Sequence, residues 1–295
     1  MSTVRVAACQ YPIEEVGSWK NYLGKLDYLA GEADGADLLV FPEYGSMELV
    51  SLLPVQARGN LASELGALQE WLPGFLDAHA KMARSGKSYV LAASFPARVA
   101  DGSYRNQAWL FGPNGTREVQ EKLQMTRFEA EIWGISPGEE LRVFDTDFGR
   151  VGVAICYDAE FPRLVRAQVE AGADIILVPS CTDGPAGWNR VRLSAQARAL
   201  ENQCFAVQSP TIGDAPWNFA VDRNHGAAAA FGPCDRGFPP DGVIAQGQVN
   251  EPGWVFAELD LAALKALRAD PQVFNSSDWA KAGNFLATPP RLGKV

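Results

Sequence analysis

Cys156 is the residue whose placement first suggests chemistry. It ends the apolar run "VGVAIC" (151–156) and is followed at once by the polar stretch "YDAEFPRL". A strand that stops on a cysteine, with Pro162 suited to the first turn of a following helix, makes a strand-to-helix elbow. Such an elbow exposes the side chain and offers helix N-terminal N–H groups that lower a thiol pKa and hold an oxyanion. Otherwise a cysteine in an apolar strand is a small hydrophobe, the reading that suits Cys9 and Cys204. On its residues alone Cys156 keeps both readings, inert core thiol or nucleophile in acyl transfer.

A thiol nucleophile usually works with a histidine, and this chain has only two. His79, in "FLDAHAKMAR", sits on a helix that looks amphipathic and peripheral, where histidines are more often packed than catalytic. His225, in the loop "DRNHGAA", has only Asp222 nearby to orient it, so a cysteine–histidine arrangement rests on one loop residue. Glu43 is the stronger base candidate. It follows an apolar strand and Pro42 in "VFPEYG", where partial burial raises a carboxyl pKa toward neutrality. Lys122, in "QEKLQMTRFE", closes a hairpin; beside a cysteine it favours thiolate and stabilises charge on a tetrahedral intermediate. The ordinary alternatives are a solvated loop glutamate and a snorkelling surface lysine.

The elements that must position these residues are legible as alternation. Apolar β-rich runs at 4–9, 37–41, 89–95, 151–156, 174–179 and 204–210 predict strands, and helical spacing marks 16–33, 63–84, 161–171 and 188–202. Residues 104–122 predict a hairpin around the turn residues Gly112 to Gly115. "GADLLVFP" (35–42) is echoed by "GADIILVP" (172–179), each preceded by a helix and a strand, "VAAC" (6–9) and "VAIC" (153–156). An α/β domain of two similar sheet halves follows. In open α/β sheets reactive side chains gather at the carboxyl ends of strands, which is where Glu43, Cys156 and Ser180–Asp183 stand.

Composition narrows the function classes. The 26 Lys and Arg against 35 Asp and Glu give a net charge of −9, with no basic run to track a phosphate backbone, so neither nucleic acid nor an anionic membrane is an expected partner. No run of eighteen apolar residues predicts a membrane span. The start, "MSTVRVAACQYP", lacks the regions of a secretory signal, and the five scattered cysteines do not make a disulfide framework, so a cytoplasmic protein with reduced thiols is expected. "RSGKS" (84–88) lacks the glycine a phosphate-binding loop needs at the position of Lys81. No zinc-type spacing and no dinucleotide fingerprint occurs, and neither a metal nor a cofactor is expected.

With Glu43 in "FPE", Lys122 in "EK" and Cys156 in "GVAICYDAEFP", the chain resembles the nitrilase superfamily of carbon–nitrogen hydrolases. The likeness extends to "SPG" (136–138), "GADIILVPS" and "ARALENQCFAVQSP" (197–210), and so to nearly the whole chain. It implies a four-layer αββα sandwich of two pseudo-symmetric halves. It implies Glu43 as general base and acid, Cys156 as nucleophile, Lys122 as oxyanion and positioning residue, and the Tyr157 N–H as a second oxyanion donor. The family's second glutamate falls to Glu129 or Glu131, and spacing to Pro137 favours Glu131. Trp133, Phe161, Cys181, Thr182 and Trp188 are the expected pocket walls, with Trp188 equally suited to packing on the sheet.

Tyr157 and Asp158 after the cysteine resemble the amidase and carbamoylase branches rather than true nitrilases, so a small-molecule amide is the expected substrate, with nitriles and N-carbamoyl compounds as alternatives. The implied domain is 1–262, followed by a C-terminal helix and extended arm (263–295) that helps build a homodimer. Two readings from other function classes remain, a catalytically silent binding or scaffold homologue that keeps the sandwich and its dimer contacts, and a cysteine–histidine acyltransferase using His225.

Overall fold

The computed structural model describes residues 2–286. Its fourteen strands are β1 (Thr3–Pro12), β2 (Leu38–Val40), β3 (Tyr89–Leu91), β4 (Phe95–Arg98), β5 (Tyr104–Phe111), β6 (Arg117–Glu121), β7 (Val143–Thr146), β8 (Gly149–Val153), β9 (Ile175–Ser180), β10 (Phe205–Asp214), β11 (Arg223–Asn224), β12 (Ala229–Phe231), β13 (Val243–Gln246) and β14 (Gly253–Asp260). The α-helices are α1 (Trp19–Glu32), α2 (Leu61–Leu68), α3 (Leu72–Gly86), α4 (Pro162–Glu170), α5 (Pro185–Asn202), α6 (Leu261–Ala269) and α7 (Trp279–Leu286).

The echo in the sequence is an echo in strand order. In the first half β1, β2 and β3 are parallel, β14 runs antiparallel on the outer side of β1, and β5 and β6 continue antiparallel beyond β3. In the second half β8, β9 and β10 are parallel, β7 runs antiparallel beside β8, and β12 and β13 continue beyond β10. The halves join where Tyr11 and Pro12 of β1 pair with Thr211 and Ile212 of β10.

Alternation along the strands divides the layers. Val4, Val6, Ala8, Leu38, Val40 and Leu91 point from the first sheet into one core with Val151, Val153, Ile175 and Leu177 of the second. Ala7, Cys9, Leu39, Phe41 and Val90 point the other way, onto Tyr22, Leu26 and Leu29 of α1 and Phe75, Leu76 and Ala83 of α3. Val165 of α4 and Val191, Ala195 and Ala199 of α5 cover the outer face of the second sheet. The result is the four-layer αββα sandwich with two pseudo-symmetric halves.

Two elements depart from their sequence pattern. The helical stretch 63–84 is split into α2 and α3, because Pro73 has no N–H to continue the first helix and instead opens the next. The strand expected at 89–95 breaks into β3 and β4, both of which pair with β5. The break frees Ser94 to hold the turn after β2: its N–H donates to Pro42 O at 3.0 Å and its Oγ accepts from Tyr44 N at 2.9 Å. Gly45 is required here, since a Cβ on it would lie 2.9 Å from that of Ala93.

α6 buries Leu264 and Leu267 and packs beside β1. The extended arm expected after α7 lies outside the described residues. Among the described residues no helix is long and apolar enough to cross a membrane.

Candidate active site

The carboxyl ends of β2, β6, β8 and β9 converge. Glu43 comes from the turn after β2, and Tyr44 there takes a left-handed φ of 53°. Lys122 follows β6, with its N–H on Asn106 O (2.9 Å) and its carbonyl accepting from Gly138 N (2.8 Å). Cys156 begins a one-turn 3₁₀ helix (Cys156–Glu160) after β8, with φ at 50°, a strained value for a non-glycine residue. Cys181 follows β9.

Glu43 is 2% exposed and Lys122 1%. Oε1 of Glu43 accepts from Lys122 Nζ at 2.7 Å and from Asn106 Nδ2 at 2.9 Å, and its Oε2 accepts from Cys181 N at 3.0 Å. The Cys156 thiol donates to Cys181 O at 3.8 Å, so the sulfur and the Glu43 carboxylate are both bound to the backbone of Cys181. Lys122 Nζ makes a second ion pair, 2.6 Å to Oε2 of Glu129. Glu129 further accepts from Thr126 N and Oγ1 (both 2.9 Å) and from the Tyr44 hydroxyl (2.8 Å).

Burial raises the Glu43 pKa, Lys122 draws it back down and Glu129 adds to the rise. For Lys122, burial disfavours the ammonium, but Glu129 and Glu43 outweigh it and hold the pKa well above the ordinary lysine value. Glu129 would be raised by burial, yet Lys122 and the Thr126 N–H outweigh that and leave it below the usual carboxylate range. Burial, with the charge of Glu43, pushes the Cys156 thiol well above its ordinary value against the pull of Lys122. The elbow therefore does not produce a resting thiolate, contrary to the expectation from its helix-start position. A reaction at this sulfur would need a base for the thiol proton, and Glu43, bound to the same Cys181 backbone, is the carboxylate beside it.

The structure corrects the second glutamate. Glu131 is exposed and pairs with Arg127 on the surface (2.7 Å), whereas Glu129 reaches Lys122. Both lie on the π-helical turn Glu129–Trp133, and residues two apart on a helical turn face opposite sides. Once Glu129 faces inward, Glu131 cannot.

The other expected residues fall into two groups. Trp133 stands edge-on to Tyr44 (5.2 Å between ring centres), Phe161 edge-on to Tyr157 (4.9 Å), and Cys181 touches both Glu43 and Cys156. The Tyr157 N–H precedes the first hydrogen bond of its 3₁₀ turn, Asp158 N to Ile155 O, so it has no acceptor within that turn. Thr182 and Trp188 are instead bound to the loop around residue 225: Thr182 exchanges hydrogen bonds with the His225 backbone, and the Trp188 indole donates to Ala227 O at 3.2 Å. The His225 ring pairs with Asn250 (3.1 Å) and lies against Trp188. His79 is fully buried rather than peripheral, its ring on Phe75 O (2.9 Å). Among the described residues no three His, Cys, Asp or Glu side chains are grouped to hold a metal.

Asn106, Tyr44 and Thr126 were not singled out in the sequence. Asn106, fully buried, reaches both Glu43 and Glu129 (3.4 Å), and its only visible signal was an amide in the middle of a hairpin strand.

Both the sequence and the fold have known relatives. The chain is 34% identical over 277 residues to the probable hydrolase YhcX of Bacillus subtilis, covering 93% of this chain and 53% of that protein, and so spans about half its length. It is 27% identical to omega-amidase NIT2 of Bos taurus, covering 93% of this chain and 95% of that one. The fold superposes on the carbon–nitrogen hydrolase of Helicobacter pylori G27 with a TM-score of 0.76 at 17% identity, over 98% of this chain and 99% of the other. The carbon–nitrogen hydrolase family profile matches residues 5–269, and the chain belongs to that family.

Proposed function

We propose that the protein hydrolyses a small-molecule amide to an acid and ammonia or an amine, through a thioester on Cys156. The observation that carries this reading is the convergence of the Cys156 thiol, bound to Cys181 O (3.8 Å), with a Glu43 carboxylate held by Lys122 (2.7 Å) and by the N–H of the same Cys181 (3.0 Å). The His79 ring bonds Phe75 O (2.9 Å) and the His225 ring bonds Asn250 (3.1 Å), not the Cys156 thiol.

In the first step the sulfur bonds to the carbonyl carbon while its proton passes to Glu43. The Lys122 ammonium and the Tyr157 N–H stabilise the oxyanion. Glu43 then protonates the leaving nitrogen, the carbon–nitrogen bond breaks, and a thioester remains. Water enters, gives its proton to Glu43 and adds to the thioester carbon; collapse releases the acid, and the proton returns to sulfur. Glu129, ionised and bound to Lys122, keeps that lysine charged throughout. Trp133, Phe161 and Cys181 are the nearest candidates for walls around the acyl group.

The relative from Bos taurus is an omega-amidase, which favours short ω-amides as the first substrates to assay. Ammonia release from ω-amides, aryl amides, N-carbamoyl compounds and nitriles tests the assignment. Turnover of amides supports it, and activity confined to nitriles overturns it. A homodimer belongs to the same reading and is checked by sedimentation velocity.

A further inference from the structure

Asp158 is a buried acid for which the reaction above has no use. It is 2% exposed, two residues beyond Cys156 and inside the same 3₁₀ turn. Its side chain leaves that turn and crosses to the chain that follows Lys122. Leu123 N donates to both of its oxygens at 3.2 Å, and Gln124 N donates to Oδ1 at 2.7 Å. These two N–H groups belong to the residues directly after the lysine, and on the other side Lys122 is fixed by Asn106 O and Gly138 N. Asp158 thus joins the turn that carries the sulfur to the turn that carries the ammonium. A surface acid would have no such double commitment, and a core packing residue would not be a carboxylate at all, given the cost of burying one.

Resting on the thioester reading, we propose that Asp158 is a positioning residue that fixes the spacing between the Lys122 ammonium and the Cys156 sulfur, and so the place where the oxyanion is held. The oxyanion forms on the carbon the sulfur attacks, so the ammonium must be set relative to the sulfur rather than to the fold in general. A direct side-chain tie between the two turns sets that relation, whereas hydrogen bonds within either turn do not. Misplacement by about 1 Å costs roughly 10²-fold in rate. The environment accords with strain accepted for position: burial raises the Asp158 pKa to about 7 against the pull of Lys122 and the two N–H donors.

The test compares Asp158→Ala, Asp158→Asn and Cys156→Ala on an amide that the wild-type protein turns over, with the rates of the Asp158 variants expressed per chain whose Cys156 can be alkylated and that of Cys156→Ala per folded chain. Asp158→Ala is expected to lower kcat by roughly 10²-fold with KM little changed. Asp158→Asn keeps the Oδ1 that accepts from Gln124 but turns an amide NH₂ toward Leu123, so its kcat is expected between the two. A residue that only stabilises the fold would lower Tm and the fraction of alkylatable chains while kcat per such chain stayed at the wild-type value, and that result overturns the proposal. Should Asp158→Ala not fold, Asp158→Asn decides alone: reduced kcat at preserved KM supports positioning, and wild-type kcat overturns it. Activity surviving in Cys156→Ala would sink the thioester reading itself, whereas an inactive Cys156→Ala beside fully active Asp158 variants would sink this inference alone.

Discussion

Replacing Lys122 by Met removes the one cation between two buried carboxylates while nearly keeping the side-chain volume. Lys122 bridges Glu43 (2.7 Å) and Glu129 (2.6 Å), and all three side chains are at most 2% exposed. Removing one partner of a buried pair costs about 3–5 kcal/mol. Here the two acids keep neutral donors from Asn106, Tyr44, Thr126 and Cys181, which limits the loss to that range even though two pairs are broken. With an unfolding entropy of about 2.1 cal/mol/K per residue, the 295 residues give about 0.6 kcal/mol/K, and Tm should fall by roughly 5–8 °C. The pH dependence has a definite sign. Without the ammonium at least one of the two carboxyls takes a raised pKa and holds a proton that the unfolded chain releases above the ordinary glutamate range. A raised folded pKa gives stability that is present at low pH and lost as pH rises through it, so the deficit of the variant is smaller at pH 5 than at pH 8. Between the ordinary glutamate pKa and the raised one it changes by at most about 1.4 kcal/mol per pH unit. Thermal and urea unfolding of both proteins across this range measures it. An unchanged Tm, or a deficit independent of pH, refutes the buried double ion pair.

Other outcomes follow from the same geometry. Glu129→Gln removes a charge that raises the Glu43 pKa, so the acidic limb of the kcat profile should move to lower pH while kcat falls; Glu131→Gln, on an exposed acid, should change neither. Glu43→Gln should reduce turnover by at least 10² while leaving the protein folded, measured by ammonia release beside circular dichroism. His225→Ala should keep most of the activity, because its ring pairs with Asn250 rather than with the thiol; loss of turnover would instead favour cysteine–histidine chemistry. Lys25→Met leaves the fully buried Glu48 without its ammonium partner (2.7 Å) and should destabilise by about 3–5 kcal/mol, read as a shift in the urea midpoint.

The αβ alternation and the doubled βαβ unit were legible because both depend on apolar periodicity and on a repeated path from helix to strand. "GADLLVFP" and "GADIILVP" became equivalent strands for that reason. The breaks were less legible. That β3 stops at Leu91 depends on Ser94 bonding a turn fifty residues earlier, which no local pattern contains. Glu43, Lys122 and Cys156 stood out because each ends an element at the same edge of the sheets. Choosing between Glu129 and Glu131 required the rotation of a π-helical turn, and linear spacing to Pro137 gave the wrong face. Asn106 was missed because its importance comes from tertiary contact with two acids far along the chain. Trp188 went the way of its packing alternative in part, its indole held by Ala227.

In the proposed reaction one thiol of the five does the chemistry. Chloroacetamide, an electrophilic amide mimic, should label the protein once per chain, at Cys156, with activity lost in proportion to labelling and protected by an amide substrate. Full labelling of Cys156 with turnover intact, or inactivation that tracks another cysteine, would contradict the assignment.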